Sequence, residues 1–171
     1  MDGVLYHGNR LLEGAKEFIE WLQRENKSYL FLTNSSERSQ IELKLKMRRL
    51  GVEIESDHFY TSALATAGFL ASQVPNGTAY VIGEAGLINA LYDVGYSMND
   101  INPDYVVVGE SKTYSYETVI KAVRLVRNGA RLIGTNPDTT GPTEDGIVPA
   151  TGSLILPISR TARVEPYFIG K

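Results

Sequence analysis

Three short stretches of this 171-residue sequence set side chains that can handle an anion at the ends of apolar runs. Asp2-Gly3 stands at the start of the sequence. An aspartate before a glycine at a strand-to-loop junction puts a carboxylate at the carboxyl edge of a sheet, and the glycine admits a ligand close to the backbone. The same pair is also ordinary turn chemistry. Thr33-Asn34-Ser35-Ser36 follows the apolar run Tyr29-Leu30-Phe31-Leu32 and precedes a helical pattern. Hydroxyls and free backbone N–H groups converge there, which suits an anion. A plain helix cap by Ser35 or Ser36 explains the same residues. Gly170-Lys171 closes a third apolar run, where the lysine is either a solvated charge or an ammonium for a phosphate.

The elements that position these residues are legible as alternating strands and helices. Leu12, Ala15, Phe18, Ile19 and Leu22 recur at helical spacing and predict an amphipathic helix over 12–23, with Trp21 close to its packing face. A strand over 28–32, short and apolar on both faces, ends at Thr33. A helix carrying Ile41, Leu45 and Met47 follows and stops at Gly51. A short strand at 59–61 and a helix over 62–73 complete a first series. Val74-Pro75-Asn76-Gly77 then breaks the helix and reads as a linker. The second series has strands at 79–82, 105–108 and 131–134 and helices at 85–94 and 116–127. A polar loop over 135–149, a weaker helix at 152–160 and a strand-like 164–169 follow. This alternation predicts an α/β fold with a mainly parallel sheet.

Composition narrows the function classes. Seventeen basic and 20 acidic residues give a net charge of −3, and no basic patch argues for nucleic acid. With no cysteine, disulfides and thiolate metal sites are excluded. The sequence lacks an apolar stretch of the roughly 18 residues that a membrane span needs, and its start lacks the pattern of a signal peptide. A cytoplasmic location with no membrane partner is expected. His7, His58 and the incomplete glycine pattern Gly83-Glu84-Ala85-Gly86 offer no competing site.

In this order, Asp2-Gly3-Val4-Leu5, Leu32-Thr33-Asn34 and Ile169-Gly170-Lys171 resemble the haloacid dehalogenase-like phosphatases, in particular the NagD-type sugar and nucleotide phosphatases. Phe59-Tyr60-Thr61-Ser62-Ala63, Tyr80-Val81-Ile82-Gly83-Glu84, Val106-Val107-Val108-Gly109-Glu110 and Thr135-Asn136-Pro137-Asp138 extend the likeness over the whole chain. The resemblance implies a Rossmann-like parallel-sheet core over 1–75, here incomplete, and an inserted α/β cap over 76–163. A return strand over 164–171 would end at the motif lysine.

It also implies hydrolysis of a small phosphorylated metabolite, a sugar phosphate or nucleotide monophosphate, through an aspartyl phosphate with Mg²⁺. Asp2 would be the acid and base, with its backbone carbonyl on the metal. Thr33, Asn34 and Ser35 would hold the phosphate, and Lys171 would pair with nucleophile and phosphate. Asn136 and Asp138, in the most polar loop of the cap, would touch the leaving group, although Asn-Pro-Asp is also good turn chemistry. The nucleophile of the family motif falls two positions before Asp2, and the distal acidic element falls after Lys171. The expectation is therefore a piece of a protein of roughly 250 residues, inactive by itself, with homo-oligomers possible through the cap. A noncatalytic remnant serving binding or assembly is the competing expectation.

Overall fold

The computed structural model describes residues 1, 3–143 and 146–171. A five-stranded parallel sheet of order β11-β8-β7-β5-β6 dominates it. Its strands are β5 (Thr78–Ile82), β6 (Ser97–Met98), β7 (Tyr105–Val108), β8 (Arg131–Gly134) and β11 (Tyr167–Phe168). The sheet is covered on both faces, and β7, reading Tyr-Val-Val-Val, is buried throughout, as central parallel strands are. Alternation along it divides two cores. Val107 packs with α3 (Ser62–Gln73) and α4 (Ala85–Asp93) through Ala63, Ala67, Leu70, Leu87 and Leu91. Val106 and Val108 pack with α5 (Tyr116–Arg127) and α7 (Leu156–Ala162) through Ala122, Leu125 and Ile158.

A smaller unit precedes this sheet. The parallel pair β3 (Phe31–Thr33) and β4 (Phe59–Thr61) shares a core with α1 (Ala15–Arg24) and α2 (Gln40–Arg49) through Ile19, Leu43, Met47 and Phe59. A hairpin of β1 (Tyr6–His7) and β2 (Arg10–Leu11) adds Tyr6 to that core. Packing sets α3 against the five-stranded sheet, whereas the sequence reading joined it to the first series. Likewise β11 pairs with β8, inside the sheet of the second series.

Several local expectations are corrected. The predicted helix from Leu12 begins at Ala15, because Gly14 takes a left-handed conformation at φ 79° at the helix start and the Leu12 N–H donates to the Leu5 carbonyl in the hairpin. Phe18 and Trp21 stack on each other with centroids 6.1 Å apart and stay half-exposed. Ser39, not Ser35 or Ser36, caps α2, through a reciprocal capping box with Glu42. Leu43 and Met47 form its buried face, and Ile41 and Leu45 are exposed. The expected polar loop over 135–149 contains an antiparallel hairpin of β9 (Thr140–Thr143) and β10 (Gly146–Pro149). The weak helix over 152–160 is two short ones, α6 (Thr151–Leu154) and α7.

Candidate functional site

The carboxyl ends of β3, β7, β8 and β11 meet, and the segments that follow them enclose a cavity of about 370 Å³. Thr33, Asn34 and Ser35 line it from the first unit, and Glu110, Asp138 and Lys171 from the second. An adjoining cavity of about 190 Å³ shares Thr33, Asn34 and Lys171. The hairpin β9–β10 supplies a further wall through Thr140, Pro142 and Val148. Asp2 lies outside the described residues.

Asn34 is the meeting point. Its Nδ2 donates to Asp138 Oδ2 at 2.8 Å and to the Lys171 carbonyl, so both amide hydrogens tie the mouth of the cavity together. Its own carbonyl accepts from Ser62 Oγ at 2.5 Å and from Asn136 Nδ2 at 2.8 Å. Thr33 Oγ1 accepts from the Ser35 N–H at 3.3 Å, which bends the chain just after β3.

Asn136 is fully buried and is absent from the lining of both cavities. The side chain expected at a leaving group thus lies in the interior of the described chain: besides holding Asn34, its Oδ1 accepts from the Asp138 N–H at 3.0 Å. In the Asn-Pro-Asp sequence the asparagine is the turn residue, and the exposed Asp138 is the one that faces the cavity. Close backbone approach completes the junction. The Gly170 N–H donates to the Thr135 carbonyl at 2.9 Å, and a Cβ on Gly170 would stand 2.5 Å from that oxygen.

Two residues escaped the sequence reading in their actual roles. Ser36, expected as a cap, is fully buried, and its N–H and Oγ–H donate to Glu110 Oε2 at 2.7 and 2.9 Å. Burial pushes the Glu110 carboxyl above its ordinary value, against the opposing pull of the Ser36 hydrogen bonds. The available signal was positional: Gly109-Glu110 directly follows a fully apolar strand, so its acid falls at the sheet edge where ligands bind.

Arg38, Lys46 and Lys171 and the acidic Glu37, Glu110 and Asp138 are the charged side chains among the described residues that line the larger cavity. Among the described residues no cluster of three His, Cys, Asp or Glu side chains could hold a metal ion. Nor is any helix among them long and apolar enough to cross a membrane.

An α/β protein with a parallel sheet whose polar cavity opens at the carboxyl ends of its strands is of the class that binds ligands at that edge. The chain belongs to the haloacid dehalogenase-like hydrolase family, whose model matches residues 1–97. Over 171 residues it is 46% identical to a dihydroxyacetone phosphatase from Corynebacterium glutamicum, matching all of this chain and 62% of that protein. It is 40% identical to the ribonucleotide monophosphatase NagD from Escherichia coli K12, matching 100% of this chain and 67% of that protein. The NagD structure superposes with a TM-score of 0.92 and covers all of this chain. A glycerol phosphate phosphatase from Mycobacterium tuberculosis in complex with magnesium superposes at 0.93, at 29% identity, over 100% of this chain and 52% of its own. The chain thus spans about two thirds or less of the relatives it matches.

Proposed function

We propose that the complete protein hydrolyses the phosphomonoester of a small metabolite, a sugar phosphate or nucleotide monophosphate. The observation that supports this most is the convergence of Thr33, Asn34, Asp138 and Lys171, from three distant parts of the chain, on one strand-end cavity. Thr33 and Ser35 offer hydroxyls to phosphate oxygens, and Lys171 offers a cation. Asn34 orders the mouth by holding Asp138 and the Lys171 backbone together. Asp138 faces the leaving group. The relatives named above are phosphatases of three different small metabolites, which supports the reaction class and leaves the substrate within it open.

The covalent route through an aspartyl phosphate, with Asp2 as acid and base, belongs to this proposal on the strength of the family. So does magnesium, which a structural neighbour carries. The described side chains do not by themselves assemble a ligand set for it.

The test is turnover of a generic aryl phosphate by the complete protein. Asn34→Ala is expected to lower kcat/KM by roughly tenfold or more, the size expected when a positioning contact at a reacting centre is lost. Asp2→Asn is expected to abolish turnover with the fold unchanged. Wild-type activity in both variants would remove the cavity from the reaction.

A further inference from the structure

We propose that Glu110 is a positioning residue for the phosphate-handling loop. Through a reciprocal clasp with Ser36 it fixes Thr33, Asn34 and Ser35 in register with the five-stranded sheet. The inference rests on the phosphatase reading above and names a residue that acts through another one.

The clasp has three arms. The Ser36 N–H and Oγ–H both donate to one oxygen of Glu110, at 2.7 and 2.9 Å, and the Glu110 N–H returns a bond to Ser36 Oγ at 3.2 Å. Buried Thr135 adds its hydroxyl to Ser36 Oγ at 3.3 Å. The fit leaves no slack, since a Cβ on Gly109 would stand 2.5 Å from Ser36 Oγ. The contact spans 74 positions of sequence and crosses between two different sheets. It therefore fixes the loop after β3 relative to the end of β7, which β3–β4 pairing cannot do.

The same strand carries an internal control. At the amino end of β7, Asp104 Oδ2 accepts from the Thr78 N–H and Oγ–H at 2.7 and 2.9 Å, and the Asp104 N–H donates to Thr78 Oγ1 at 3.1 Å. The chemistry and distances repeat those of Ser36 and Glu110. This second clasp joins neighbours within the five-stranded sheet, and neither Thr78 nor Asp104 is among the described residues that line the phosphate cavity. If hydroxyl–carboxylate clasps act only by holding the fold, both ends of β7 should respond alike. If Glu110 positions the loop, only the Ser36 end should alter phosphate binding.

Inorganic phosphate, titrated calorimetrically into the complete protein, tests this. Ser36→Ala and Glu110→Ala are expected to weaken phosphate binding by about 10- to 150-fold, as loss of a hydrogen bond to a charged group does. Glu110→Gln, whose amide oxygen still accepts from Ser36, is expected to recover most of that loss. Thr78→Ala and Asp104→Asn are expected to stay within about twofold of wild type, whatever they cost in melting temperature. If Glu110→Ala does not fold, Ser36→Ala carries the test, because it keeps the Ser36 N–H on the carboxylate. Wild-type affinity in the Ser36 and Glu110 variants, or equal weakening at the two ends of β7, overturns the proposal while leaving the phosphatase reading intact. A wild-type protein that binds no phosphate removes both.

Discussion

At the residue scale, the site depends on atoms brought to close approach more than on the charges that signal it. Gly170 shows why. Its N–H bonds to the Thr135 carbonyl, and an added Cβ would press on that oxygen at 2.5 Å, on Asn136 Cβ at 3.1 Å and on Asn34 Oδ1 at 3.2 Å. Two of those neighbours are buried residues held by their own hydrogen bonds, so neither can yield cheaply. Gly170→Ala is expected to cost about 1–3 kcal/mol, the range for overpacking a filled site, measured by urea unfolding. A cost below about 0.5 kcal/mol, the level of an indifferent surface change, would show that the backbone there adjusts freely. The glycine of the Gly-Lys pair is thus explained by packing independently of what the lysine does.

At the element scale, legibility followed periodicity. Strands β5, β7 and β8 and helices α3, α4 and α5 were read close to their observed bounds, because each carries a continuous apolar signal that burial in the five-stranded layer requires. The hairpin β9–β10 carried no such signal. Its residues are almost all exposed, so its pairing owes nothing to an apolar face. The hairpin at 6–11 was marked by Gly8-Asn9, a two-residue turn with Gly8 at φ 56°, but its strands are too short for periodicity to show. Of the site, the residue types at strand ends were legible. The partition of Asn136 to the interior and Asp138 to the cavity was not, since both fit the same turn.

The cap of α2 was misplaced for a related reason: Ser35, Ser36 and Ser39 all suit a cap, and only Ser39 has an acid three positions on. That box gives a prediction. Ser39→Ala is expected to cost about 1 kcal/mol, typical of a lost N-cap. Glu42 adds a pH dependence, because the Ser39 backbone N–H, then its hydroxyl, hold the Glu42 carboxyl below its ordinary 4.5. A carboxylate with a lowered folded pKa stabilises above its unfolded value, and the contribution is lost as pH falls through the folded one. Glu42→Gln should therefore be less stable than wild type at neutral pH, above the ordinary glutamate range, and the gap should close only as pH falls through the lowered folded value. Because Glu42 is exposed to solvent, the difference should shrink with salt. A gap that persists unchanged at low pH would assign the effect to packing instead of charge.

At the scale of the whole molecule, the cavity is the place where two separately packed units share their polar groups. The bond from Asn34 to Asp138 spans 104 positions and that to the Lys171 carbonyl spans 137. Each unit keeps its own apolar cluster, so the polar junction rather than a common core couples them at this edge. A ligand seated in the junction contacts both units and must favour the state in which both are folded. Inorganic phosphate at 100 times its dissociation constant should stabilise the complete protein by about 2.7 kcal/mol. The distribution of that gain is the informative part. Amide hydrogen exchange should slow in β3 of the first unit and in β7 of the second by comparable factors, since one binding event closes the same junction for both. Sodium chloride at matched ionic strength should not reproduce it. Protection confined to one sheet would mean that phosphate binds within a single unit, and the junction would then be a structural seam without a role in recognition.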